Sequence, residues 1–369
     1  MAKYKKRPDG RYMVNIYSHT DPETGMRKYV SVYARSIPKL EAKAAEVRDQ
    51  INKGTYANDK GYKVSDWALE WLETEKSTCG IKTKEMYTRA VKSYIIPAIG
   101  DIRLKELRKI DIQRLINTLS DRPPTCAQVH MTIRQILDCA IDNNLLFKNV
   151  CHKIQLPSAK APEKRALTED EKKAILKADF TDKEKAFVLI AQYTGMRRGE
   201  ILALSRNDID FNLGLIHVRN VIVFDGTKAV FRPFPKSDAG IRDLPIPNIL
   251  SGFLSQYVAS LAGLYLFEME RKSGFMTKSS YDKFWKHILT KINIAAGGTE
   301  TLQVIHGLTA HIFRHNYATM LFYAGVEAKE AQKLLGHSDI KLTLDIYTHL
   351  DRRHLGAASK LNSFIENSK

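Results

Sequence analysis

Cysteine is scarce in this chain of 369 residues: there are four, Cys79, Cys126, Cys139 and Cys151, none in C-x-x-C spacing. That pattern excludes a disulfide framework and a cysteine-held zinc module, and it fits reduced, buried thiols that do no chemistry. Long apolar runs are missing as well. Those present, such as Ala186 to Ala191, fall far short of the roughly 20 residues a membrane-spanning helix needs. The basic start, Lys3 to Arg7, is followed by no apolar stretch, which is not the pattern of a signal peptide. A cytoplasmic protein with no membrane partner is expected. No internal repeat or low-complexity tract is visible.

Acidic residues are the other shortfall. Forty-one Asp and Glu face 58 Lys and Arg, a net charge of +17, with a pI near 9.5. In a globular chain with 44% hydrophobic residues, the simplest partner for that excess is a polyanion, nucleic acid before membrane. Lys plus Arg against Asp plus Glu gives 13 − 7 = +6 for residues 1–60, 18 − 12 = +6 for 61–165 and 27 − 22 = +5 for 166–369. Charge density therefore falls from the N-terminus onward. Modules that grip a duplex need charge over much of their surface, whereas a catalytic domain needs it only at the scissile phosphate. The first two segments look like grips.

The length suffices for two or three domains, each with its own core. Residues 1–60 alternate with a period of two around a Pro8-Asp9-Gly10 turn and a Thr24-Gly25 turn. That pattern predicts a three-stranded antiparallel sheet through Tyr4, Tyr12 to Tyr17 and Lys28 to Tyr33. Ser36 as a cap, Pro38 in the first turn and the stripe Leu40, Ala44, Val47, Ile51 then predict a helix over one sheet face. The other face, aromatic and polar, is free to meet DNA. After a patternless linker at 55–63 comes a helical block, 61–160: one helix marked by Trp67, Trp71 and Leu72, a second capped by Thr83 and ended by Pro97 and Gly100, a third from Asp111 and a long fourth from Thr125. It carries no catalytic cluster and reads as a clamp. A second, Pro-bounded linker spans 156–165, and Thr168 to Glu171 forms a capping box that opens the last domain, 165–369. There, strands are expected through Leu215 to Val218, Val230 to Phe234 and Ile241 to Ile246, the last two joined by a turn at Pro235 to Gly240. Helices follow to the end.

The chemistry concentrates between Thr309 and Leu350. His311 and Arg314 stand three apart in a helical run, which puts them on one face. Leu334 to His337 reads as a helix end closed by Gly336, and Tyr347 follows on a separate short element that can swing. A His, an Arg, a second His and a Tyr are the groups that a phosphodiester-cutting site needs. Taken singly each has an ordinary reading: surface chemistry for H-x-x-R, half-buried packing for the Tyr. His311 and His315, four apart, have the spacing of a metal pair, but no Glu follows His311 as a protease zinc helix requires. No metal and no cofactor are expected.

With T-G-M-R-R-G-E at Thr194 to Glu200, P-K-S at Pro235 to Ser237, H-I-F-R at His311 to Arg314, L-G-H-S at Leu335 to Ser338 and D-I-Y-T at Asp345 to Thr348, in that order, the chain resembles the tyrosine recombinase (phage integrase) family. The match covers roughly 165–355. By layout the two upstream segments resemble the arm-binding and core-binding domains of the heterobivalent integrases of phages and conjugative transposons. The fold class implied is multidomain and mainly α with small β-sheets, ending in a mixed α+β catalytic domain. The resemblance implies Tyr347 as the nucleophile, forming a 3′-phosphotyrosyl link that reseals without ATP. It implies Arg197 and Arg314 as the clamp on the nonbridging oxygens and Lys236 as the acid for the leaving 5′-oxygen. His311 would assist proton removal from Tyr347, and His337 would donate to the phosphate. Arg198 competes with Arg197, but the family pattern places the catalytic Arg directly after T-G-x. Glu200 is expected to orient an Arg. The implied partners are double-stranded DNA at core and arm attachment sites, a homotetramer on that DNA, and an accessory DNA-bending protein and excisionase, in the cytoplasm of a bacterial cell. A non-catalytic DNA-binding regulator, a type IB topoisomerase and an Xer-type resolvase are the alternatives. The N-terminal segment favours a mobile-element integrase over the last two.

Overall fold

The computed structural model describes residues 4, 6–20, 25–53, 56, 61–158, 165–233, 240–269 and 274–351. The chain divides into two compact units, Met1–Ala161 and Pro162–Lys369, a division that falls within the Pro-bounded stretch 156–165.

In the first unit, β1 (Tyr12–Thr20) and β2 (Arg27–Ala34) pair antiparallel, Tyr12 opposite Ala34 and Tyr17 opposite Tyr29. Alternation turns Ile16, Val32 and Ala34 to one face, where α1 (Ile37–Asn52) covers them with Leu40 and Ala44. Pro38 lies in the first turn of α1, while Ser36 at the N-cap makes no side-chain capping bond. The strand expected through Tyr4 is reduced, among the described residues, to one bridge between Lys6 and Tyr12. Pro8 has no N–H to give to a ladder, and Arg7 to Arg11 closes instead into a tight turn with Gly10 at φ 78°.

A second, separate apolar cluster in this unit belongs to α2 (Val64–Thr74), α3 (Ile81–Arg89), a π-helical stretch Ala90–Ile95, α4 (Ile96–Ile99), α5 (Lys109–Asn117) and α6 (Pro123–Asp142). Trp71 fills its centre, and Trp67 donates its indole N–H to the Ile136 carbonyl at 3.0 Å. Pro97 does not stop the second helix. It sits in the first turn of α4, directly after the widened π turn, where a missing N–H is tolerated. The long helix likewise starts at Pro123, ahead of Thr125. The expected linker at 55–63 falls largely on residues outside those described.

The second unit begins with α7 (Glu169–Lys177) and α8 (Asp182–Thr194), both opened by capping boxes in which Thr168 and Thr181 accept from Glu171 and Glu184. Then come α9 (Arg198–Leu202), β3 (Ile209–Asp210), β4 (Leu215–Val218), β5 (Asn220–Asp225), β6 (Lys228–Pro233) and β7 (Arg242–Pro245). The unit continues with α10 (Asn248–Ser260), α11 (Lys278–Ala295), α12 (Ala310–Tyr323), α13 (Ala328–Leu335) and α14 (Lys341–Asp351). α8 is the core element, with Ala186, Phe187 and Ile190 fully buried. The strands form a sheet ordered β3-β4-β7 and a separate hairpin, β5-β6.

That topology corrects the expected pairing. The strands on either side of Pro235 to Gly240 are not partners: β6 pairs with β5 and β7 with β4. Gly226-Thr227, with Gly226 at φ 55°, closes a two-residue hairpin that sets Asp225 opposite Lys228, the commonest length for a connection between antiparallel neighbours. Lys236 itself lies outside the described residues. Among the described residues no helix is long and apolar enough to cross a membrane.

Candidate active site

Three arginines meet at the C-terminal end of α13. A helix end leaves its last carbonyls without partners and carries partial negative charge. Here Leu334 O accepts from Arg242 Nε at 2.8 Å, Leu335 O accepts from Arg314 Nη2, and Gly336 O accepts from Arg197 Nη2 at 2.9 Å. Gly336, at φ 62°, turns the chain in the left-handed conformation that closes the helix.

Each arginine is placed by a different element. Arg197 caps α9 just after Gly195, which ends α8 at φ 59° and approaches Tyr317 so closely that a Cβ would lie 2.4 Å from its ring. Arg314 sits in the buried stripe of α12 and donates through Nη1 to Gly195 O at 2.8 Å. Arg242 faces inward from β7. Glu200, 2% exposed, joins two of them: it accepts from Arg197 Nη1 at 2.8 Å and from Arg242 Nη2 at 2.8 Å. Burial works against its ionisation, but Arg242 and then Arg197 outweigh it and hold the carboxyl below its ordinary range. Burial, followed by the neighbouring Arg197, pushes Arg314 down to about 9. It remains charged at neutral pH.

Arg314 is 3% exposed, whereas the Arg197 side chain is 41% exposed. Two of the guanidiniums thus share one carboxylate, all three donate to the carbonyls of one helix end, and one of them opens to solvent. The arrangement favours an anion. Arg198 turns elsewhere, over the rings of Phe224 and Tyr281 at 5.3 and 5.0 Å.

His337 follows Gly336 directly. Its backbone N–H donates to Gln332 O at 3.1 Å, its carbonyl accepts from Gln332 Nε2 at 3.0 Å, and its Nδ1 lies 2.9 Å from Thr343 Oγ1. Burial first, then Arg314 and Arg197, pushes its pKa down from 6.5 to about 4. The ring is neutral at pH 7. His311 stands apart from these groups in burial, exposed in the first turn of α12, with its ring edge-on to His315 at 5.0 Å. His315, for its part, adds to the positive surroundings of His337.

Tyr347 is half-buried on α14, its ring edge-on to Phe322 at 5.1 Å, and its hydroxyl donates to Val326 O at 3.2 Å. Val326 precedes α13, whereas the arginines hold the end of it, and about 12 Å of helix separates the two ends. The hydroxyl is thus engaged away from the arginine cluster. Burial, with Tyr317 and Glu330 nearby, pushes its pKa up to about 12.

The sequence candidates Arg197, Arg314 and His337 are thus brought together, Glu200 orients an arginine as expected, and Tyr347 is docked to one side. Arg242 was missed. Its signal was parity, since it shares the inward positions of its strand with Leu244. Thr343, fully buried against His337, was missed too. Among the described residues no group of three or more His, Cys, Asp or Glu is placed to hold a metal.

The first unit carries a second polar surface. The uncovered face of β1 and β2 presents Tyr17 edge-on to Tyr29 at 6.0 Å and Asn15 bonded to Ser31 at 2.8 Å. Tyr33 lies beneath the guanidiniums of Arg7 and Arg11, each 5.4 Å away.

The second unit of this mainly helical protein thus gathers arginines around a helix end, with a tyrosine on the following helix, an arrangement that suits an anion. The particular family is shown by comparison. Residues 165–354 match the phage integrase family and residues 63–120 match the phage integrase N-terminal SAM-like domain, so the chain belongs to the phage integrase family and is a tyrosine site-specific recombinase. A protein described as tyrosine recombinase XerC-like from Caldanaerobacter subterraneus is 27% identical over 99% of this chain and 100% of its own length. The ICEBs1 integrase of Bacillus subtilis is 26% identical over 98% of this chain and 99% of its own. In fold the chain is similar to the Tn1549 transposon integrase in complex with a circular intermediate DNA, with a TM-score of 0.67 and 18% identity over 78% of this chain and 95% of that one. It is also similar to a lambda integrase tetramer bound to a Holliday junction, with a TM-score of 0.58 and 18% identity over 92% and 96%.

Proposed function

We propose that the chain is the integrase of a mobile element, cutting and rejoining double-stranded DNA through a 3′-phosphotyrosyl intermediate on Tyr347. The observation that carries this reading is the convergence of Arg197 and Arg314 on adjacent carbonyls beside His337, with more guanidinium charge than Glu200 and the helix end offset. A scissile phosphate supplies the missing anion. Planar guanidiniums match its nonbridging oxygens and the charge that grows on them in the transition state. His337, neutral at pH 7, contributes a hydrogen bond rather than a charge. Lys236 is assigned the proton for the leaving 5′-oxygen, and His311 that of assisting Tyr347, both on the family pattern. For attack, the Tyr347 hydroxyl leaves Val326 O and α14 carries it toward the arginines.

Residues 1–60 are assigned to distal arm-type sites, through the Tyr17, Tyr29, Asn15 and Ser31 face with Arg7 and Arg11 at its edge. Residues 61–160 are assigned to the core site and 165–369 to catalysis. A homotetramer on two DNA sites, with an accessory bending protein and an excisionase, completes the reading. The Bacillus relative supports a mobile element, while the Caldanaerobacter relative keeps an Xer-type role as the second reading.

The test is trapping on a nicked DNA substrate carrying the crossover site. Wild type is expected to leave a covalent adduct, and Tyr347→Phe is expected to bind DNA normally and leave none. An adduct that persists in Tyr347→Phe moves the nucleophile elsewhere.

A further inference from the structure

We propose that Thr343 is a positioning residue for cleavage: its hydroxyl donates to His337 Nδ1 and so holds the ring in the Nε2–H form, the form that offers a proton to the phosphate. The proposal rests on the recombinase reading above for what Nε2 faces, but not for the hydrogen bond itself.

Thr343 is 0% exposed, and a threonine hydroxyl removed from water needs a partner. Its Oγ1 lies 2.9 Å from His337 Nδ1. A neutral imidazole has one N–H and one lone pair, and the partner of one nitrogen decides which nitrogen carries the proton. Burial first, and then the neighbouring Arg314, Arg197, His315 and Arg242, disfavour protonation of His337, so the ring stays neutral and the choice is between two tautomers. If Nδ1 carried the proton, Nε2 would present a lone pair to an anionic phosphate, which repels it. If Thr343 donates, Nε2 carries the proton and points a donor at the oxygen.

The rest of the residue is already fixed. Gln332 holds both the N–H and the carbonyl of His337, so the backbone is set and the ring is what Thr343 settles. Thr343 also stands four residues before Tyr347 on α14, one turn away on the same face. The helix that carries the nucleophile therefore carries the group that orients the phosphate donor.

Two measurements on the full-length chain test this. In protein labelled with nitrogen-15 at histidine, the His337 ring, assigned by its loss in His337→Gln, is expected in the Nε2–H form; the Nδ1–H form overturns the proposal without any variant of Thr343. For cleavage, Thr343→Val is expected to slow adduct formation by about tenfold or more, the scale of losing an orienting partner, with DNA binding unchanged. Thr343→Ser, which keeps the hydroxyl, is expected to stay within a few-fold of wild type. In a His337→Gln background, Thr343→Val is expected to cost nothing further. A full additional loss in that background, or a loss in Thr343→Ser equal to that in Thr343→Val, makes Thr343 a packing residue and overturns the proposal. A wild type that forms no adduct overturns the recombinase reading instead, and the tautomer still decides the hydrogen bond.

Discussion

Among the titratable residues of the candidate site, His337 makes the sharpest claim about pH. Its folded-state pKa lies near 4 against an ordinary 6.5, because burial and the neighbouring Arg314 and Arg197 oppose a further positive charge. Protonation is therefore easier in the unfolded chain. The stability linked to this group is fully present above about pH 6.5 and is lost as pH falls toward 4, by about 3 kcal/mol at most. Denaturation midpoints followed from pH 8 to pH 4 should fall less steeply in His337→Gln than in wild type. Equal slopes would mean that the ring accepts a proton in the folded state as readily as in water. At the same scale, two residues show what was legible in the sequence. Arg314 carried its family motif openly, whereas Arg242 lay in I-R-D-L-P-I, where only its parity with Leu244 marked an arginine turned inward. An inward arginine is costly until its partners are known, and Glu200 and Leu334 O are 42 and 92 residues away in sequence.

The elements explain why the site forms where it does. α8 ends on a left-handed glycine, and that turn delivers both Arg197 and the Gly195 carbonyl that holds Arg314. A side chain at 195 meets a disfavoured φ and the Tyr317 ring at once. Gly195→Ala is thus expected to lower stability by about 1–3 kcal/mol, and to weaken cleavage in the fraction that folds, because the carbonyl behind Arg314 moves. A melting temperature and cleavage rate equal to wild type would show that the turn has room. Gly199 meets the same limit from the other side, with a Cβ 2.4 Å from Ile222 O, so T-G-M-R-R-G-E is a packing motif as much as a chemical one. Helices were readable because their stripes and capping boxes are local: the box from Thr168 to Glu171 stands where the pattern starts. Strand partners were less so. β5 went unread and β6 was paired with the wrong neighbour, since alternation gives the face of a strand but not its partner, and the Gly226-Thr227 turn that decides the pairing is two residues long.

At the scale of the whole molecule, charge and surface point in the same direction. Residues 1–60 carry +6 in a segment with one small core, and the uncovered face of their sheet presents Tyr17, Tyr29, Asn15 and Ser31, with Arg7 and Arg11 stacked on Tyr33 and both paired with Asp9. Assigned to a DNA site distant from the crossover, this segment raises the effective concentration of the rest of the chain at the core site and is raised by it in turn. Deleting residues 1–60 is then expected to spare binding and cleavage of isolated core DNA and to abolish recombination that requires the distal sequences. Affinity of the full chain for paired sites should fall more steeply with salt than that of the shortened chain, because more phosphate contacts release more counterions. Binding isotherms over a range of salt concentrations on paired and single sites measure both effects. Equal salt slopes, with recombination intact in the shortened chain, would remove the second DNA site from this molecule and move the reading toward an Xer-type enzyme, for which a core grip and a catalytic unit suffice.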